Sequence, residues 1–175
     1  ILKMLGEFTD IKFQKTDSVL EALILEAALV KKHQPEANTD LKDDKSFNYV
    51  VITKEDFPRV LVVRGKELES PSLKVRGGLG KVGPQKIFGP FTNGSQLKEA
   101  MKIVRRMFPF RDKCEVGKGK PCFNRQIGLC PGVCTGEISK ADYKKQIKKI
   151  ALFFEGNKTK LINFLKKEMK DLAKK

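Results

Sequence analysis

The chain has 175 residues, of which 40% are apolar, and no apolar run approaches the 18 residues that a membrane-spanning helix needs. Its formal net charge is +15, and the charge is uneven: residues 1–100 hold 16 Lys and Arg against 14 Asp and Glu, whereas residues 101–175 hold 20 against 7. A localised basic surface indicates a polyanionic partner. Nucleic acid is favoured over anionic lipid, because the chain lacks the tryptophan that membrane-surface helices use.

The N-terminal part predicts a helix end, a strand and a full helix, in that order. Residues 1–8 have the pattern of a helix that lacks its beginning, so we expect the polypeptide to extend upstream. Residues 10–15 alternate polar and apolar side chains, which predicts a short strand. Ser18 and Glu21 have the spacing of a capping box, and the helix that they open is expected to end before Pro35.

Glu26 is a candidate ligand on that helix. Its helical neighbours are Ala22, Leu23, Leu29 and Val30, so the carboxylate is expected to project from an apolar face. A buried carboxylate is costly unless it is paired or binds a metal ion. Two interpretations remain open: a glutamate at the edge of the apolar stripe paired with a lysine, or a metal ligand at the floor of an active site.

The middle of the chain predicts strands and a basic loop. Residues 49–53 and 60–64 are expected to pair and to extend the sheet begun at residue 11. Residues 65–87 mix glycine with lysine and arginine and predict an exposed basic loop, in which Arg76 and Lys81 are candidate phosphate contacts. The letters KIFGPF predict a short strand and a turn at Gly89 and Pro90.

Three helices are predicted after this loop. The first is capped between residues 93 and 95, the second begins at Ser139 and ends at Gly156, and the third runs almost to the last residue. Arg105 and Arg106 on the first helix, and Arg111 beyond it, are assigned to solvent or phosphate. The side chains expected to be buried on the first helix are Leu97, Met101, Ile103, Val104 and Met107.

The four cysteines of the chain fall within 21 positions, in the spacing C-x7-C-x7-C-x3-C: Cys114, Cys122, Cys130 and Cys134. Four thiolates suit either one zinc ion or an iron–sulfur cluster. A pair of disulfides is disfavoured, because a chain of this length does not need such cross-links. The usual C-x2-C zinc knuckle is absent, and the long gaps favour the larger cluster, with zinc as the alternative.

Six stretches of the chain together form a recognisable pattern: EALILEAALVKKHQP, LKDDKSF, YVVITKEDFPRV, FGPF, MFPFRDKC and PCFNRQIGLCPGVC. In this order and with these gaps they resemble the N-terminal part of the C subunit of the bacterial UvrABC excision nuclease. The resemblance covers nearly the whole chain, and it is most specific in the cysteine segment.

This resemblance implies an α+β fold in three parts. Residues 1–66 would be the C-terminal part of a GIY-YIG endonuclease domain, with a small mixed sheet and flanking helices. Residues 67–138 would be a basic loop and a cysteine-rich region, and residues 139–175 a helical segment leading toward the helical hairpin that contacts the B subunit. The GIY and YIG strands, with their catalytic tyrosine and arginine, would precede residue 1.

The resemblance also implies the chemistry. Glu26 would hold one Mg²⁺ or Mn²⁺ ion, and the four cysteines would hold a 4Fe–4S cluster. The complete protein would be a cytoplasmic bacterial excinuclease of nucleotide excision repair that cuts damaged double-stranded DNA on the 3′ side of a lesion, together with a UvrB-type helicase subunit.

Two alternatives differ from this expectation in class or in context. The first is a non-catalytic module in which the cysteine centre is structural and the basic surface docks on DNA or a partner. The second is a shorter, stand-alone repair nuclease of the same type. On either interpretation this chain by itself is expected to lack a complete active site.

Overall fold

The computed structural model describes residues 9–35, 47–68, 73–74 and 81–174. These residues form helices and one small sheet, which confirms the α+β class. The helices are α1 (Val19–His33), α2 (Gly65–Leu68), α3 (Gly94–Met107), α4 (Phe123–Gln126), α5 (Lys140–Phe154) and α6 (Lys158–Leu172). The strands are β1 (Asn48–Thr53), β2 (Val60–Arg64), β3 (Leu73–Lys74), β4 (Lys81–Val82) and β5 (Pro84–Phe91).

The main sheet has three strands in the order β2-β1-β5, and both pairings are antiparallel. The sequence therefore correctly predicts the pairing of β1 with β2, and within the described residues the sheet is antiparallel and not mixed. Central strand β1 is rich in β-branched residues, which suit a pleated surface with neighbours on both faces. Its residues Val50, Val51 and Ile52 are at most 1% exposed. Strands β3 and β4 form a separate two-stranded ribbon.

Strand β5 continues through Gly89 and Pro90, where the sequence predicts a turn. The peptide bond between them is cis, and the register with β1 shifts nearby. Gly89 has a φ of +124°, and a β-carbon there would lie 3.0 Å from Cδ1 of Tyr49. A bulge at this position lets the strand continue instead of ending.

The strand expected over residues 10–15 is absent. Ile11 is 77% exposed and Phe13 is 94% exposed, and none of the described strands pairs with this segment. Alternation of polar and apolar residues forms a strand only where a neighbouring strand supplies hydrogen bonds. Helix α1 itself is as predicted, because the Ser18 hydroxyl accepts from the backbone N–H of Glu21 at its first turn.

Helix α3 confirms its predicted cap but buries a narrower face than expected. The Asn93 side chain accepts from the backbone N–H groups of Ser95 and Gln96. The helix buries Leu97, Ala100 and Val104, whereas the expected core residues Ile103 and Met107 are 50% and 47% exposed.

One hydrophobic core joins α1, the main sheet, α3, the segment around Phe108 and Phe110, and α5. Its members include Val133 from the cysteine segment and the fully buried Tyr143 of α5. Strand β1 precedes residue 66 and strand β5 follows it, and the two strands pair with each other. The expected domain boundary at residue 66 therefore falls between two strands of the same sheet. Among the helices of the described residues, none is long and apolar enough to cross a membrane.

The two C-terminal helices are placed as the sequence predicts. The Ser139 side chain caps α5, and Gly156, with a φ of +69°, follows its end. Lys149 of α5 and Glu168 of α6 form an ion pair of 2.6 Å that joins the two helices. Helix α6 contains no buried residue, so its apolar face is only partly covered within the described part of the chain.

Candidate metal centre and basic groove

The four cysteines come together at one point, although 20 positions separate the first from the last. Their sulfur atoms all lie within 4.8 Å of one another. Cys130 and Cys134 are 2% and 1% exposed, and Cys114 and Cys122 are half-buried. None of the four forms a disulfide. The sequence prediction that these residues form one cluster is therefore confirmed.

Short turns and backbone hydrogen bonds position the cysteines. Cys122 is the residue directly before α4, and its N–H lies 3.4 Å from the sulfur of Cys134. The N–H groups of Gly117 and Gly119 donate to the carbonyl oxygens of Val133 and Cys134, which ties the first half of the segment to the second. Backbone bonds of this kind hold the loop without a large core of its own.

The local electrostatics favour negative charge on one of the sulfurs, that of Cys130. The hydrogen bond from Cys114 lowers the pKa of Cys130 to about 5, burial opposes this effect, and the N–H groups of Gly132 and Val133 reinforce it. The pKa of Cys114 is raised in turn, first by that same hydrogen bond and then by burial, and burial also raises the pKa of Cys122. The thiols by themselves therefore favour one thiolate at Cys130, and binding of a metal ion, which takes cysteine as thiolate, would be coupled to proton release.

The donor set fits a thiolate-bound metal, and the spacing bears on which one. A zinc ion with Zn–S bonds of about 2.3 Å places its four sulfurs about 3.8 Å apart at tetrahedral angles. A cluster places an iron atom in front of each sulfur, so its four sulfurs lie further apart than those around one ion. The separation of at most 4.8 Å is closer to the single-ion arrangement.

Arg111 supports the cysteine segment from beneath and does not face solvent. It is 3% exposed. Its guanidinium donates to the carbonyl oxygens of Cys114 (2.8 Å) and Phe57 (2.7 Å), and its backbone N–H donates to the Tyr143 hydroxyl (2.9 Å). The donors of Arg111 are used inside the protein, so the structure does not support its assignment to DNA.

Arg105 has a similar internal role. Its guanidinium donates to Asp112 (2.9 Å) and to the carbonyl oxygens of Leu129 (3.1 Å) and Phe110 (2.9 Å), and it stacks over the Phe110 ring. Its side chain is 16% exposed. The cysteine segment folds back over α3 and uses these donors, so the structure does not support the assignment of Arg105 to phosphate.

Of the three other predicted nucleic-acid residues, the structure describes only Arg106 in full. Arg106 is exposed on α3. Lys81 lies in β4, but its side chain is outside the described part of the chain, as is all of Arg76. No common surface for these three residues is described.

A groove of about 1060 Å³ runs between β2 and α3 and was not predicted from the sequence. Strand β2 is an edge of the main sheet. Two acidic residues, Glu67 and Asp112, line the groove. Its five cationic lining residues are Arg64, Lys98, Lys102, Arg105 and Lys113. Only the juxtaposition of strand and helix creates this surface, since its lining residues are spread from Asn48 to Lys113.

Glu26 lies near this groove and not on the core face of its helix. Helix α1 buries Leu23 and Ala27, whereas Glu26 is exposed, so the expectation that it projects from the apolar face is wrong. Its Oε1 accepts from the hydroxyl of Thr92 at 2.7 Å, and Thr92 lines the groove. Within the described residues Glu26 belongs to no group of three metal-ligating side chains.

The family described as "UvrC/Cho excinuclease, middle domain" matches residues 47–153. This chain belongs to that family. The match contains the main sheet, the groove and all four cysteines, so the metal centre and the groove both lie in the region that defines the family.

Similar full-length proteins have the name "UvrABC system protein C". The chain is 39% identical over 167 residues to the protein from Trichormus variabilis, 37% over 172 residues to that from Cyanothece sp., and 36% over 174 residues to that from Moorella thermoacetica. These matches cover 94%, 97% and 97% of this chain, but only 25%, 26% and 26% of the relatives. The chain therefore spans about a quarter of their length. No solved structure matches it.

Proposed function

We propose that this chain is the DNA-binding and metal-centre region of an excision nuclease subunit that acts in nucleotide excision repair. The observation that carries the proposal is the convergence of four cysteine sulfurs to within 4.8 Å, in a segment that belongs to the excinuclease middle-domain family. The names of the relatives support the repair context. We propose the bacterial cytoplasm as its location and a UvrB-type helicase subunit as a partner.

The proposed DNA contact is the groove between β2 and α3. Lysine and arginine bind phosphates regardless of base sequence, and each contact releases counterions, so binding weakens steeply with salt. Arg64, Lys98 and Lys113 in this groove form no ion pair with the described carboxylates, so their charges are available to a phosphate backbone. The groove is proposed as one part of the basic surface that the sequence indicates, because it contains only three of the 20 Lys and Arg residues of residues 101–175.

A salt titration tests this contact with the chain as it is. Binding of fluorescent duplex DNA, measured by anisotropy, is expected to lose affinity with a log–log slope of about −3 or steeper if three or more phosphates are contacted. A slope near zero would contradict the proposal. Arg106, which lies on the exposed side of α3, is proposed to add to the same field, and Arg76 and Lys81 keep their sequence assignment as proposals.

We propose Glu26 as a ligand for Mg²⁺ or Mn²⁺ in the complete protein. A bound divalent ion supplies Lewis-acid chemistry at a phosphodiester. The hydrogen bond from Thr92 fixes the Glu26 carboxylate beside the groove, where a phosphate of bound DNA would pass. One exposed carboxylate does not complete an ion site, so the remaining ligands are proposed to come from GIY-YIG strands and from DNA.

Incision by the complete protein tests this role. Glu26→Gln keeps the acceptor for Thr92 but removes the charge, and it is expected to abolish the 3′ cut while DNA affinity changes by less than about threefold. The control is Glu99→Gln on α3, which removes an exposed carboxylate paired only with Lys102. Normal incision by Glu26→Gln would remove this residue from the mechanism.

The metal of the cysteine centre is proposed to be a 4Fe–4S cluster, with one zinc ion as the second candidate. The family resemblance and the long gaps between the cysteines favour the cluster, whereas the close spacing of the sulfurs favours the single ion. Either group would act here as a structural cross-link, since a metal centre joins parts of a loop that has little core of its own.

The division of the parent protein is also proposed. Residues 1–66 would be the C-terminal part of the nuclease domain, residues 67–138 the basic loop and cysteine-rich region, and residues 139–175 the helical segment that leads toward the hairpin. The family match, over residues 47–153, includes parts of all three. The second candidate function, a non-catalytic DNA-binding module, is favoured by the exposed and incomplete site at Glu26. The incision test with Glu26→Gln separates the two.

A further inference from the structure

Arg59 is an arginine in an unusual environment, between β1 and β2. It is 3% exposed, and its Nε and Nη1 atoms are buried without a hydrogen-bond partner. Its backbone is firmly placed, because its N–H donates to the Thr53 hydroxyl at 2.8 Å and its carbonyl accepts from the Thr53 N–H at 3.0 Å. Buried donors without partners cost on the order of 1–3 kcal/mol, so such an arrangement needs an explanation.

The neighbouring charges do not balance. Arg59 and Arg111 share one carboxylate, because Oε2 of Glu55 lies 3.4 Å from Nη2 of Arg59 and 3.3 Å from Nη2 of Arg111. The other oxygen of Glu55 accepts from the Thr53 hydroxyl at 2.7 Å. Two buried guanidinium groups therefore face a single carboxylate, and one positive charge remains uncompensated, which is unfavourable in a protein interior.

The cysteine centre, when it holds a metal, would supply the negative charge that the two guanidinium groups lack. Arg111 donates to the carbonyl oxygen of Cys114 at 2.8 Å, so the arginine pair lies directly behind this ligand. The pKa of Arg59 is lowered by burial and then by Arg111, while the carboxylate of Glu55 acts in the opposite direction, as a thiolate at Cys114 would. Four thiolates around one divalent metal ion carry a net charge of −2, and around a cluster they are also anionic.

We propose that Arg59, together with Arg111, supplies the buried positive charge that balances the anionic cysteine centre when metal is bound. The inference rests on the proposed metal centre. Arg111 donates a hydrogen bond directly to the cysteine segment. Arg59 is a positioning residue that acts through its charge and through its two unpartnered donor nitrogens, Nε and Nη1. Outer residues of this kind commonly change metal affinity by 10- to 100-fold when they are replaced.

The experiment measures metal release from the chain purified without oxygen. Iron or zinc passing to an excess of chelator is followed for the wild type, Arg59→Met, Arg59→Lys and the control Lys166→Met, which removes one exposed positive charge from α6. Arg59→Met is expected to release metal at least about tenfold faster than the wild type. Arg59→Lys and Lys166→Met are expected to stay within about threefold.

A second comparison separates charge balance from ordinary packing. In the metal-free protein the charge of Arg59 is uncompensated, so Arg59→Met is expected to leave the Tm of chelator-treated protein unchanged or higher, while it lowers the Tm of loaded protein. A structural arginine would lower both. If Arg59→Met does not fold, Glu55→Gln tests the same charge balance. This variant removes the carboxylate that Arg59 and Arg111 share, so more positive charge remains to balance the cysteine centre. It is therefore expected not to speed the release of metal.

The outcomes are distinct. A wild-type chain that holds no metal, even after reconstitution with iron and sulfide or with zinc, overturns the proposed metal centre itself. A loaded wild type whose release is unaffected by Arg59→Met, or accelerated by Glu55→Gln, overturns the charge-balance assignment alone.

Discussion

The hydroxyl group of Tyr143 on α5 connects the loop between β1 and β2 to the start of the cysteine segment. It accepts from the backbone N–H of Arg111 at 2.9 Å and donates to the carbonyl oxygen of Pro58 at 2.7 Å. Tyr143 is fully buried, and its ring contacts Phe57 with the centroids 5.5 Å apart. One side chain therefore fixes the loop before β2 and the start of the segment that holds the cysteines.

Tyr143→Phe is expected to destabilise the chain while keeping the ring contacts. The substitution leaves one buried N–H and one buried carbonyl without a partner, so the free energy of unfolding should fall by about 1–3 kcal/mol. Denaturant titration followed by circular dichroism measures the change. A loss of less than about 0.5 kcal/mol would show that these two hydrogen bonds are not needed to hold the loop.

The pair of Arg105 and Asp112 is expected to make the stability depend on acid pH. Burial would raise the pKa of Asp112, but the hydrogen bond and charge of Arg105 outweigh it and bring that pKa below its ordinary value of 3.8. A carboxyl group with a depressed pKa in the folded state stabilises the fold above its unfolded pKa, and this contribution is lost as the pH falls through the folded value.

Asp112→Asn is therefore expected to cost about 1.5–3 kcal/mol at pH 7 and to lose less stability than the wild type as the pH falls below about 4. Unfolding measured between pH 7 and pH 2.5 tests this. Glu99→Gln, which breaks the exposed pair with Lys102 on the same helix, is the control and should change stability by less than about 0.5 kcal/mol. Equal pH profiles for Asp112→Asn and the wild type would contradict the assignment.

Two glycines near β5 give a matched test of the bulge. Gly89 has a positive φ, and a β-carbon there would also lie 3.2 Å from the carbonyl oxygen of Asn48, whereas a β-carbon at Gly83 would meet nothing within 4 Å. Gly89→Ala is expected to lower the free energy of unfolding by about 1–3 kcal/mol, and Gly83→Ala by much less. Similar losses for both variants would show that the bulge tolerates a side chain.

The groove predicts a specific loss of DNA affinity. Replacing both Lys98 and Lys113 with alanine removes two groove charges, so the salt slope of DNA binding should fall by about 2 and affinity should weaken similarly for different DNA sequences. Alanine at Lys166 and Lys167, both exposed on α6, removes the same net charge elsewhere. If the two double variants behave alike, net charge and not the groove determines binding.

Local signals in the sequence predicted the elements well, and long-range packing explains where prediction failed. Ser18, Asn93 and Ser139 begin their helices because each caps through its own side chain, which depends on neighbouring residues only. The prediction of a strand over residues 10–15 was wrong because a strand needs a neighbouring strand to pair with, and the described residues supply none. The cysteine cluster was predictable because its four ligands share one short segment.

The position of the sheet determines which side of α1 is buried, and the sequence alone does not give that position. As a result Glu26 lies beside Thr92 and not in the core. Arg105 and Arg111 were predicted to contact DNA because they lie in a strongly basic part of the sequence. Only the folded structure shows that both donate to backbone carbonyl oxygens of the cysteine segment. The signal available in the sequence was their closeness to Asp112 and Cys114, since arginine beside an acid and a metal ligand is also typical of a structural support.

Metal analysis of the anaerobically purified chain, with a visible absorption spectrum, tests the central claim that Cys114, Cys122, Cys130 and Cys134 hold a metal centre. We expect about four iron and four sulfide per chain, and Cys130→Ser should lose them together with stability. One zinc per chain would keep the centre and replace the cluster with a single ion. A stable chain with four reactive thiols and no bound metal would show that these cysteines hold no metal centre.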